Sequence, residues 1–174
     1  MKKLMLILIM MLFWFQAQTV LGQGKASAMT SASMSAEVIY TATAQSQGQL
    51  SFGHWAPGPN GGQVFVSPDG DLDTKGSVVM INSEYSPAKF YITGIQDKAF
   101  SISLSKGPTV LNHKGSSNTM LVHGWDSTPA PDETWKLDGG ALGVNVGAVL
   151  DVNILNDNPV GIYTGVYSII FNYH

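Results

Sequence analysis

Two absences narrow the reading first. The chain of 174 residues contains no cysteine. Disulfide scaffolds, thiol catalysis, thiolate zinc sites and a lipid-modified N-terminal cysteine are therefore excluded. Arginine is absent as well, since all nine basic residues are lysines. Without the bidentate guanidinium fork, and with a formal net charge of -3, nucleic acid and anionic lipid are poor partners. Helical periodicity is also missing: beyond residue 22 no window of a dozen residues repeats its apolar positions with a period near 3.6.

What is present begins with a leader. Lys2 and Lys3 precede an apolar run from Leu4 to Phe15, followed by small residues at Ala17, Val20 and Gly22. This is the layout of a secretory signal peptide, expected over residues 1–22. The run falls short of the ~20 residues of a bilayer span, so no transmembrane segment is expected after cleavage. Removing 22 of the 174 residues leaves 152, enough for one domain with a sizeable core. Residues 23–33 are expected to form an N-terminal extension, either a donor strand or a flexible leader. Residues 34–174 are expected to form the domain.

From Ala26 to Ala44 the even positions are small or apolar except at Thr30, an alternation that signals β structure. Such a segment would extend roughly 60 Å, about three times a usual strand. It must therefore break in two or project from the body. Further along, Leu50 to Phe52, Val64 to Val66, Ser77 to Ile81 and Phe90 to Thr93 read as strands. Phe100, Ile102 and Leu104 alternate with serines, the clearest half-exposed strand in the chain. Met120 to His123, Trp135 to Leu137, Leu142 to Val146 and Val149 to Leu155 complete the set before the last strand. Pro57 to Gly62 reads as a tight reversal, Asn82 to Pro87 as a turn, and the glycines of 139–147 as a bulge or a bent pair. Short strands between such turns predict an all-β sandwich of antiparallel strands.

The last strand carries Tyr163, Gly165, Tyr167, Ile169, Phe171 and Tyr173 on one face. Its other face still holds Ile162, Val166 and Ile170, so a central or interface strand fits better than a free edge.

Leu50-Ser51-Phe52-Gly53, Ala56-Pro57-Gly58, Gly61-Gly62, Val66 to Gly70, Ser86-Pro87-Ala88, Thr93-Gly94 and Gly161, Tyr163 and Gly165 together resemble an uncharacterised family of secreted bacterial domains over about residues 30–174. That family is similar to spore-coat-protein-U-like and chaperone-usher pilin subunits, immunoglobulin-like sandwiches that assemble by donor-strand complementation. In pilins a glycine fourteen from the end and a penultimate tyrosine mark the strand held by the chaperone, and Gly161 and Tyr173 match them. The chain departs from pilins in lacking their cysteine pair and in using alanines in its candidate donor segment. The resemblance implies a non-enzymatic surface protein, exported to the periplasm and then to the cell surface or medium. Its subunits would join by strand addition to another copy or a related subunit, with a periplasmic chaperone and an outer-membrane usher as partners. The candidate donor residues are Ala26, Ala28, Thr30, Ala32, Met34 and Ala36.

Chemical motifs are sparse. Asp69, Asp71 and Asp73 alternate as calcium ligands can, but the twelve-residue loop they would open has Thr74 and Met80 where an EF-hand needs glycine and a bidentate glutamate. A solvated acidic turn is the simpler reading. His54, His113, His123 and His174 lack metal-ligand spacing, and no nucleophile motif surrounds any serine. No cofactor and no catalytic site are expected. Trp55, Trp125 and Trp135 lie in or beside Gly/Pro-rich stretches. There they either stack on a sugar or anchor a protein, as in a self-contained binding module, or plug the ends of the sandwich.

Overall fold

The structure is a computed structural model that describes Ala36, residues 42–82 and residues 84–174. The signal segment and the donor candidates Ala26 to Met34 lie outside the described residues; Ala36 is exposed and in no strand. The chain divides between Val38 and Ile39, and every element below belongs to the second unit.

That unit is all-β, as the turn spacing predicts. In order it contains β1 (Thr43–Gly48), β2 (Ser51–Phe52), β3 (Trp55–Val66), β4 (Leu72–Met80), β5 (Tyr85–Ser86), β6 (Ala88–Thr93) and β7 (Ala99–Leu104). There follow β8 (Thr109–His113), β9 (Thr119–Thr128), β10 (Thr134–Lys136), a 3-10 turn (Asp138–Gly140), β11 (Ala141–Val152), β12 (Tyr163–Thr164) and β13 (Ile169–Tyr173). The large sheet runs β1-β6-β11-β9-β8-β12, with β3 joined to β11 and β4 joined to β3. The smaller sheets are β10-β7-β13 and β2-β5, and all pairings are antiparallel.

Strand β11 organises the whole. Its first half, Ala141 to Val146, pairs with β6, and its second half, Ala148 to Val152, pairs with β3. The exchange of neighbours happens at Gly147, where an added Cβ would run into the Val66 carbonyl and the start of the Pro68 ring. The opposite edge of β11 pairs with β9 through a register shift between Gly147 and Val149. A bulge was expected here, but the two apolar stretches around it form one continuous strand rather than a pair. The missing side chain at Gly147 is what lets the strand pass from one partner to the next.

Two clusters of buried side chains result, one on each half of β11. One gathers Val64, Val78, Met120, Val122, Leu150 and Val152. The other gathers Ile92, Phe100, Ile102, Leu137, Val144 and Val146 beneath the β10-β7-β13 sheet. Leu50 and Trp125 touch both. Burying a side chain such as Phe100 or Ile102 stabilises the fold by about 1.5–3 kcal/mol, so β7, whose alternation with serine is cleanest in the sequence, is a principal cover of the second cluster.

Two expectations need correction. Pro57 to Gly62 is no reversal but part of β3. The strand advances from Pro57, opposite Val78, to Gly62, opposite Gly76, in a wide bulge with Gly61 at φ 64. Added Cβ atoms at Gly58 and Gly62 would strike the carbonyls of Ser77 and Lys75, so these glycines serve close strand approach. Second, the last strand is not continuous from Tyr163 to Tyr173: β12 pairs with β8, and β13 pairs with β7 in another sheet. Most of the Ala26–Ala44 alternation lies outside the described residues; the first described strand, β1, starts at Thr43 and runs through polar residues to Gly48. Among the described strands it pairs only with β6, and it is exposed nearly throughout, so no apolar face marks it.

Candidate functional site

The C-terminal segment was singled out by its aromatic stripe, and the structure accounts for that stripe residue by residue. Burial alternates from Tyr167 to His174, with Tyr167, Ile169, Phe171 and Tyr173 turned inward and Ser168, Ile170 and Asn172 outward. Tyr167 stacks on Trp125 of β9 with centroids 4.7 Å apart, and Phe171 meets Phe90 of β6 at 5.8 Å. The segment therefore crosses the inner face of the large sheet obliquely. Burial pushes the Tyr167 phenol above its ordinary value near 10. The Tyr163 phenol is raised too, by burial first, with the Asn158 side chain acting the other way.

Tyr173 closes the stripe. Its ring and Leu137 occupy the space a Cβ would take at Gly94, and its hydroxyl accepts a hydrogen bond from the Ile95 N–H at 3.0 Å. Gly161 and Gly165 have packing roles as well. A Cβ on Gly161 would enter the His113 imidazole, and one on Gly165 would meet the Val110 carbonyl and the Leu111 side chain. Both glycines let the chain lie against β8.

Among the described strands β13 pairs with β7 alone and lies at the edge of its sheet. Its pairing with β7 ends where the His174 N–H donates to the Ala99 carbonyl at 2.8 Å. Hydrogen-bonding direction alternates along an antiparallel pair. Asn172 opposite Ser101 and Ile170 opposite Ser103 thus share that inward sense, while the N–H and C=O groups of Ile169, Phe171 and Tyr173 point away from β7. No described strand pairs with them. Beside this edge Ile170 is 58% exposed and Val166 89% exposed.

The three tryptophans are half-buried and packed against the clusters rather than presented on loops: Trp55 on the first, Trp135 on the second, Trp125 on both. The Trp135 indole N–H donates to the Ala130 carbonyl at 3.0 Å. The Trp125 indole nitrogen is buried without a partner among the described residues. Their Gly/Pro-rich surroundings suggested loops because the bulges that bend strands use the same residues.

Asp69, Asp71 and Asp73 do not converge. Asp69 lies within the turn closed by Ser67 and Asp71 directly after it, while Asp73 sits in β4 opposite Phe65. Among the described residues no three acids or histidines gather in metal-binding geometry. No described helix is long and apolar enough to cross a membrane.

Sequence reasoning missed the latch beneath β12. Asn158 is 2% exposed, and its Oδ1 accepts from the Asn153 N–H at 2.6 Å while its Nδ2 donates to the Thr119 and Asp157 carbonyls. The Tyr163 hydroxyl donates to the Pro159 carbonyl, and the His113 ring sits 3.3 Å from the Val160 carbonyl. The Asn-Asp-Asn-Pro run was the only available signal, and it reads simply as a turn.

The sequence profile of one protein family, described as Domain of unknown function (DUF4402), matches residues 40–173. No curated protein and no solved structure matches the chain.

Proposed function

The chain belongs to the family described as Domain of unknown function (DUF4402), and on that premise we propose that the protein is a secreted, non-enzymatic structural or adhesive surface protein. Its pilin-like subunits assemble by β-strand complementation. One observation carries the reading: the edge of β13, where Ile169, Phe171 and Tyr173 offer backbone groups that no described strand pairs, above a half-buried aromatic stripe. An added strand there would gain up to about six backbone hydrogen bonds, each worth ~1 kcal/mol net. It would also cover the apolar side chains that flank the edge. Natural folds usually protect such an edge with charge, proline or a covering element, and the residues Ile169–Tyr173 include neither a charged side chain nor proline.

The incoming strand is residues 26–36 of another copy or of a related subunit. Its alanines would permit close approach, and its backbone would supply the pairing. Before assembly a periplasmic chaperone would hold the same edge, and an outer-membrane usher would pass the subunit to the surface. Residues 1–22 direct the chain into that route. The test is electrophoresis of the surface fraction in SDS with and without boiling. A ladder that collapses to one band on heating is expected from kinetically stable polymers. A single band in both lanes refutes assembly.

A second reading, a self-contained binding module for a glycan or protein, is favoured by β1, since Thr43 and Ala44 already pair with Thr93 and Ile92 of their own domain. Deleting residues 23–33 separates the two. A fibre subunit becomes monomeric, whereas a module keeps its oligomeric state and ligand.

A further inference from the structure

The outer face of the large sheet spans β4, β3, β11, β9 and β8. Register places Lys75, Gln63, Asp151, Leu121 and Val110 side by side across these five strands. Four of these five, Lys75, Gln63, Asp151 and Leu121, line an open cleft of about 600 Å³, which the backbone of Gly62 and Gly76 also borders. Its polar rim is Asn60, Gln63, Lys75, Thr119, Asp151 and Asn153. The volume falls within the ~300–1,000 Å³ of small-ligand sites.

Asp151 is held in place from both sides. Gln63 Nε2 donates to its Oδ1 at 2.8 Å, and His123 Nε2 lies 3.0 Å from the same oxygen. Oδ2 therefore has no protein partner among the described residues, although the side chain is oriented by two neighbours. A carboxylate fixed through one oxygen and free at the other is a pre-organised acceptor. The rest of the rim offers three carboxamides, one hydroxyl and one ammonium group. One positive and one negative charge leave the cleft without net charge, which disfavours phosphate and polyanions. Leu121 is its one large apolar side chain on the outer face, too little for a lipid or an aromatic ligand. Groups that both donate and accept at close spacing match this rim best, and sugar hydroxyls are such groups.

We propose that this cleft binds a short neutral oligosaccharide, with Asp151 Oδ2 and the Asn60 and Asn153 carboxamides taking its hydroxyl groups. This site lies on the face away from the tryptophans, and it does not depend on how subunits associate. The test applies the full-length protein, separated by size into monomer and any polymer, to a printed array of neutral, sialylated and sulfated oligosaccharides. Neutral probes are expected to retain both fractions, so absence of polymer leaves the outcome readable. Asp151→Ala and the cleft-filling Thr119→Trp should each weaken retention at least ~10-fold, as expected for loss of a hydrogen-bonded charge, with thermal midpoints near that of the parent. Thr119 is exposed, which keeps the test decisive should Asp151→Ala fold poorly. Retention of no neutral probe, preference for sialylated or sulfated probes, or unchanged binding by Thr119→Trp would overturn the assignment.

Discussion

Asn158→Ala should destabilise the fold by about 2–4 kcal/mol, a large effect for a polar residue in a loop. Three hydrogen bonds disappear with the side chain. The heaviest loss is at the Asn153 N–H, whose acceptor at 2.6 Å is Asn158 itself; an unsatisfied buried donor costs about 1–3 kcal/mol. The Asp157 carbonyl suffers less, because Asn118 Nδ2 still donates to it at 2.9 Å. The Thr119 carbonyl and the small void left behind add roughly 1 kcal/mol. Urea unfolding followed by tryptophan fluorescence reads the change. With a slope of about 1–3 kcal/mol per molar urea, the midpoint should fall by roughly 1–2 M. Asn158→Asp should be at least as damaging, since a carboxylate would replace the donor facing two carbonyls. A loss below about 0.5 kcal/mol for alanine, or a parent-like midpoint for aspartate, would refute the claim that this side chain ties the C-terminal loop to β9 and β11.

Three further outcomes are expected. Gly147→Ala should cost about 1–3 kcal/mol by forcing a methyl group against Val66 and Pro68, with hydrogen exchange accelerating first at the β3–β11 pairing. Ile102→Ala, at a side chain with no exposed surface, should cost about 2–5 kcal/mol by calorimetry; less than 1 kcal/mol, roughly the cost of a peripheral site, would mean that β7 is not a principal cover. The raised Tyr167 phenol makes the fold favour the neutral form. Its contribution is complete below the unfolded value near 10 and is lost as pH rises through the higher folded value. Urea midpoints should therefore fall on the alkaline side of pH 10, and Tyr167→Phe should reduce that fall while keeping the Trp125 stack.

The strands most legible in the sequence are those with one wet and one dry face. In β6, β7 and β13 the dry residues Ile92, Phe100, Ile102 and Phe171 recur at every second position because each meets a packed core. Where that asymmetry fails, the pattern fails. β1 is wet on both faces, so its residues Thr43 to Gly48 carry no alternation. Pro57 to Gly62 uses the residues of a turn for a bulge, since close approach of two backbones and reversal of one both require glycine. The break at Gly165 was invisible because an aromatic period of two continues across it, although the strand changes sheets. The cleft around Asp151 was equally hidden. Its rim is scattered from Asn60 to Asn153 and meets only through the registers of β4, β3, β11 and β9, which no local pattern encodes.

The division of the last segment between two sheets bears on the order in which the molecule can be completed. Tyr163 packs on one cluster, while Ile169, Phe171 and Tyr173 pack on the other. Neither half of β11 is fully sheltered until residues 163–173 have been synthesised and have crossed from β8 to β7. A nascent chain halted before Tyr163 would display apolar surface on both halves at once and would be a substrate for holding factors. Completion of the two cores is thus coupled to a single late event, and an interruption there leaves no half of the domain finished.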